Sequence, residues 1–119
     1  MAYVDGFLTP VPRANLDKYW EMSRICGAIW KEFGALEFRE CVADDVPQGK
    51  VTSFPMAVKL EEGEVVVFSW IVYESRARRD EVNDKAMKDP RMAQYMNPKA
   101  LPFDGMRMIF GGYEMVVDL

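Results

Sequence analysis

Histidine is absent from the 119 residues, which excludes an imidazole base, an imidazole metal ligand and a Ser-His triad. Cysteine is scarce. Cys26 and Cys41 are the only two, too few for a disulfide framework and not in CxxC spacing, so they read as free thiols in a reducing cytoplasm. Long apolar runs are missing too: the longest, Val65 to Tyr73 and broken by Ser69, falls far short of the roughly 20 residues of a membrane span. The opening Met1-Ala2-Tyr3-Val4-Asp5-Gly6 has neither the basic nor the apolar region of a signal peptide. Basic charge is not in excess. Fifteen Lys and Arg against 19 Asp and Glu give a net charge of −4, which argues against a phosphate-binding surface.

What is present is a globular composition, half apolar and 29% charged. The length suits one domain over residues 1–119 that buries about 65% of its unfolded surface. Tyr3 to Val11 reads as a strand closed by Pro10 and Pro12. Asn15 is placed to N-cap a helix whose apolar residues, Leu16 to Phe33, recur at helical spacing until Gly34 stops it. Leu36 to Val42 is a second strand. The segment from Ser53 reads as a short helix ending near Gly63, and Glu64 to Tyr73, rich in β-branched and aromatic residues, as a third strand. Ser75 caps a helix reaching about Lys88, Asp89-Pro90 starts a helical turn through about Met96, and Met106 to Val117 closes as a strand. Gly111-Gly112 within it predicts a bulge or a close backbone approach.

Strand, helix, strand, strand, helix, strand is the ferredoxin-like βαββαβ arrangement of the α+β class, with both long helices on one face of an antiparallel sheet. The other face is then open. Yet Val65-Val66-Val67-Phe68 and Trp70-Ile71-Val72 are apolar at both parities, the pattern of a strand covered on two sides. A second copy related by two-fold symmetry is the simplest cover, so a face-to-face homodimer with a cavity between its sheets is expected.

Tyr3-Val4-Asp5-Gly6-Phe7, Asp44-Asp45-Val46-Pro47, Phe68-Ser69-Trp70, Asp89-Pro90-Arg91-Met92 and Pro102-Phe103-Asp104-Gly105 occur in order along the chain. Together with Arg107-Met108-Ile109 and Phe110-Gly111-Gly112 they resemble the YbaA-like family of unknown function, over essentially the whole length. The resemblance implies a small bacterial protein of the dimeric α+β barrel superfamily. That superfamily includes cofactor-independent monooxygenases, haem-binding degraders, isomerases and ligand sensors. No catalytic signature comes with these motifs.

Asp5 is the foremost candidate for chemistry, a carboxylate inside an apolar strand on the same side as Tyr3 and Phe7. There it is either paired, with Arg107 or across a dimer, or has a raised pKa suited to a general base. A ligand pocket is expected from Tyr3, Asp5, Phe68, Trp70, Tyr73, Arg107 and Glu114, with Phe68 and Trp70 as aromatic walls. Glu40 is a weaker acid candidate. The Arg76, Arg78, Arg79 cluster and the acidic stretches Asp44-Asp45 and Glu61-Glu62-Gly63-Glu64 read as solvated. The acidic stretches lack EF-hand spacing, so neither a metal site nor a cofactor is expected. The nine methionines are read as gap-filling core.

These residues point to a cytoplasmic homodimer that binds a small molecule in its barrel, without contact to nucleic acid or membrane. The alternative is a cofactor-independent enzyme, monooxygenase- or isomerase-like, using a pocket carboxylate. RNA binding shares the strand order. However, Gly63-Glu64-Val65-Val66-Val67-Phe68 does not follow the basic, glycine-containing RNA-recognition strand.

Overall fold

The computed structural model describes residues 1–119. Four strands, β1 (Tyr3–Pro12), β2 (Glu37–Val42), β3 (Glu64–Tyr73) and β4 (Ile109–Glu114), form one antiparallel sheet in the order β2-β3-β1-β4. Helices α1 (Leu16–Phe33) and α3 (Arg76–Met87) are the two long crossovers, and α2 (Phe54–Ala57) is a single turn between β2 and β3. This is the expected ferredoxin-like α+β fold.

Register divides the sheet into two chemistries. Asp5 faces Ile71 and Gly112 across the ladders, and Phe7 faces Ser69 and Phe110. These residues share a side with Phe38 and Glu40 of β2, because cross-strand partners point the same way. Both long helices lie on that side. The main core cluster joins Ile29 and Trp30 of α1, Ile71 and Tyr73 of β3, and Val82 and Ala86 of α3. The opposite side carries Val4, Gly6, Leu8, Phe68, Trp70, Val72, Ile109 and Tyr113, and no long helix covers it.

Several local expectations shift. β1 extends one residue beyond the expected Val11 and pairs through both prolines, there with β3 alone. Arg13 N–H donates to Gly63 O and Ala2 O accepts from Met115 N, so even-numbered β1 groups face the β4 side. Pro10 and Pro12 therefore lack their N–H groups on an edge where β4 has already ended. Asn15 does not N-cap α1. A 3-10 turn over Arg13–Asn15 leads into the helix, and Asn15 Nδ2 donates instead to Pro102 O at 3.0 Å. Ser53 does cap α2, its hydroxyl accepting from Met56 N–H. That helix stops at Ala57, well short of Gly63, and Lys59 follows at φ 50°.

β4 is shorter than expected, since Gly105–Arg107 is a 3-10 turn capped by Asp104 and residues 115–119 leave the sheet. Arg107 causes the delay. It is bidentate to Glu64 at 2.7 Å for both bonds and also holds Asp104 Oδ2 at 3.0 Å, which ties the turn to the start of β3. Glu64 is therefore not part of a solvated acidic stretch, and Arg107 holds its carboxyl below the usual carboxylate range. Gly111 and Gly112 pair in regular register without a bulge. The Tyr3 ring lies so close over Gly112 that a β-carbon there would collide with its hydroxyl and ring edge.

α3 has little apolar surface to offer, with only Val82 and Ala86 buried, worth roughly 3 kcal/mol. Polar contacts complete its docking. Arg79, expected among solvated arginines, donates to Asp5 Oδ1 and to the Tyr3 hydroxyl, each at 3.2 Å, with its guanidinium 4.9 Å from the Tyr3 ring centroid. Its Nε lies 3.0 Å from Asp80 Oδ1 but misaligned for a hydrogen bond. Asn83 Oδ1 accepts from Trp30 Nε1 at 2.9 Å and from the Tyr73 hydroxyl at 3.2 Å. One helix face thus grips β1, β3 and α1.

Gly27 sits where α1 crosses β2, and a β-carbon there would approach Phe38 Cδ1 to 2.8 Å. Gly27→Ala gains about 1 kcal/mol of helix propensity but overpacks a contact of a kind that costs about 1–3 kcal/mol. A lower urea midpoint is expected; a raised one would mean that the Phe38 ring yields freely. Burial raises the Asp5 carboxyl above its ordinary 3.8, with Arg79 the largest opposing influence. The folded state therefore holds more protons than the unfolded one just above pH 3.8, and stability falls as pH rises through that window. Arg79→Met removes the opposing charge. It is expected to cost about 3 kcal/mol at pH 7 and much less near pH 4, as read from denaturant midpoints. An equal loss at both pH values would show that Arg79 does not neutralise Asp5.

Candidate functional site

The sheet separates the expected site residues. Phe68 and Trp70 stand on the open side, 5.5 Å apart between ring centroids and edge to face. They floor a concavity of about 660 Å³ with Val4, Leu8, Ile109 and Tyr113. Phe54 of α2 closes one end against Phe68 at 6.0 Å. That single turn is the only helix on this side. Phe68, Ile109 and Tyr113 are between 44% and 63% exposed, so large apolar groups stand open to solvent.

Tyr3, Asp5 and Tyr73 are buried on the helix side, on the opposite face of the sheet from Trp70. Asp5 does not pair with Arg107. Its cation is Arg79, and the neighbouring Tyr73 and Asn83 side chains also oppose the effect of burial on its carboxyl. Burial and the Asp5 charge together push the Tyr73 phenol above its ordinary range, which keeps it a donor. A carboxylate so enclosed docks a helix. Arg107 is engaged at the start of β3, and Glu114 ends β4 opposite Tyr3, exposed. The seven residues expected to share a pocket thus fall into an aromatic floor, a helix lock and two separate positions.

Glu40, the weaker acid candidate, occupies a more open setting. Its Oε1 accepts from the Tyr19 hydroxyl at 3.0 Å and its Oε2 from Ser23 Oγ at 2.6 Å. Both donors are buried on α1, one turn apart at i and i+4, so they face the same strand. Burial and then the Glu40 charge raise the Tyr19 phenol, and the same two causes push the Cys26 thiol up to about 11. Glu40 takes part in no ion pair. It borders a cavity of about 180 Å³ between sheet and α1 and, on its other side, a groove of about 610 Å³ between α1 and β2. The Tyr19/Ser23 spacing was the available signal for this cluster, hidden inside an otherwise apolar helical stripe.

No three His, Cys, Asp or Glu side chains converge as a metal site, and no helix is long and apolar enough to cross a membrane. Residues 2–105 match the model of a family described as a protein of unknown function (DUF1428). The uncharacterized protein YbaA of Escherichia coli strain K12 is 54% identical over 118 residues, with 99% of each chain covered. The YbaA protein of Shigella flexneri matches to the same extent. A dimeric ferredoxin-like protein from an uncultured marine organism superposes over 100% of both chains with a TM-score of 0.58 at 13% identity, a likeness of fold. On the family model and the full-length identity together, the chain belongs to the YbaA-like family of unknown function.

Proposed function

We propose that the protein is a cytoplasmic homodimer that binds a small molecule in the barrel formed between two apposed sheets. The observation that carries this reading is the apolar concavity of about 660 Å³ on the open sheet face, floored by Leu8, Phe68, Trp70 and Tyr113. Phe68 on a central strand and Ile109 and Tyr113 on the neighbouring edge, 44–63% exposed, form an apolar patch that favours association. Two such faces, each hollowed rather than flat, enclose space when they meet. The description of the marine ferredoxin-like protein as dimeric points the same way. Glu37 and Asp118 are the only Asp, Glu, Lys or Arg side chains lining the concavity, and Asp5 lies behind the sheet. An apolar occupant held by shape and aromatic contact suits this lining. Free thiols at Cys26 and Cys41 agree with a reducing compartment.

Sedimentation and native mass spectrometry of the full chain are expected to give twice 13.7 kDa, with a discrete non-covalent adduct after gentle purification. Phe68→Glu places a charge in the centre of the apposed faces and is expected to yield a folded monomer. A wild-type monomer at tens of micromolar would sink the barrel, and a dimer indifferent to Phe68→Glu would place the interface elsewhere.

A further inference from the structure

The concavity between sheets leaves the Glu40 cluster unexplained, since that cluster lies on the other side of the sheet. We propose that the cavity between the sheet and α1 is a second site, one that takes a small organic ammonium compound of about the size of benzylamine. Three observations converge on it.

The first is an unneutralised carboxylate. Tyr19 and Ser23 each give Glu40 one hydrogen bond, out of about four acceptor positions on a carboxylate. No Lys or Arg nitrogen comes within ion-pair distance. Asp5, on the same sheet face, has Arg79 in contact, whereas Arg24, Lys31 and Arg39 border the groove on the other side of Glu40 and none of them pairs with it. Tyr19 and Ser23 are only 4% and 5% exposed, so the hydroxyls that orient Glu40 are themselves held by packing.

The second is the wall. Phe7, Tyr19, Trp30, Phe38 and Phe103 line the cavity. Aromatic faces attract cations, most strongly where water is excluded, and a carboxylate beside them adds a charge-assisted hydrogen bond. Arg39 borders the cavity, but its register partner is Trp70, so its side chain belongs to the opposite face. No other Lys or Arg lines the space.

The third is size. The cavity measures about 180 Å³, and a dry cavity of about 150 Å³ accommodates benzene. One ring or a short alkyl chain bearing a primary ammonium fills it, with the nitrogen on Glu40 and the apolar body against Trp30, Phe38 and Phe103. Tyr19 remains a donor to Glu40 throughout the neutral range, because burial and the neighbouring charge raise its phenol.

The test uses three near-isosteric probes on the unaltered full-length protein: benzylammonium, benzyl alcohol and toluene. Calorimetric titration at pH 7 is expected to show saturable benzylammonium binding at least about tenfold tighter than either neutral probe, a difference of ~1.4 kcal/mol. The indole N–H signal of Trp30 should move on titration while that of Trp70, on the open face, stays. Glu40→Gln keeps an acceptor oxygen for α1 and is expected to abolish the preference for the ammonium while leaving the neutral probes unchanged. Equal affinity for the three probes, absence of saturation, or movement of Trp70 instead of Trp30 would each overturn the proposal. So would a preference that survives Glu40→Gln. The probe ranking needs no variant, and none of these readings depends on whether the chain dimerises.

Discussion

Period-two alternation in β1 and β3 is the constraint from which the rest of the molecule follows. Each central strand presents one set of side chains to α1 and α3 and the other set to the open side. A strand apolar at both parities cannot satisfy only one of them. The helix side is filled by Ile29, Trp30, Val82 and their neighbours. On the open side the chain supplies only α2, whose Phe54 reaches the Phe68 end and leaves Trp70, Ile109 and Tyr113 without a helix. The same alternation decides where chemistry can sit. Asp5 and Trp70 are near neighbours in the sheet yet lie on opposite faces, so a pocket assembled from proximity along adjacent strands mixes two environments.

On the helix side, polar groups do what apolar area is too small to do. α3 buries two side chains and holds by Arg79 and Asn83. A buried ion pair contributes little net stability over an apolar substitute, because both charges lose their hydration. It does impose one geometry. Arg79 must meet Asp5 and Tyr3 together, and Asn83 must meet Trp30 and Tyr73 together, so α3 has one rotation and one height on the sheet. Gly112 completes this arrangement by leaving room for the Tyr3 ring that receives Arg79.

The fold was legible because its signals are local or periodic. Ser53 and Ser75 cap the helices they precede, Gly34 ends α1 at φ 122°, and the two-sided apolarity of β3 announces an open face. The misplacements all depend on distant partners. Asn15 has cap chemistry, but Pro102, 87 residues away, offers its carbonyl. Met106 and Arg107 continue an apolar strand pattern, yet Glu64 draws Arg107 into a turn 43 residues downstream. Arg79 lies in a basic cluster that resembles any exposed helix start, and only the crossover of α3 over β1 brings it to Asp5, 74 residues away. Charge pairing at such separations leaves no trace in periodicity or turn chemistry, so the elements could be read from the sequence while the partners of the carboxylates could not.

The contrast between the two helix-side carboxylates is what separates architecture from a site. Asp5 and Glu40 occupy the same sheet face and both carry the cost of partial desolvation. At Asp5 that cost is offset within the fold by Arg79, with Tyr73 and Asn83 beside it, and the carboxylate is buried. At Glu40 the fold spends two buried hydroxyls on orientation and leaves the charge itself uncompensated beside an aromatic cavity. An apolar residue in the same place would leave the buried Tyr19 and Ser23 hydroxyls without their acceptor, so Glu40 helps to seat α1. A neutral acceptor would do that as well, and the fold places no cation on the charge. Orientation without neutralisation makes sense where the missing charge arrives from outside.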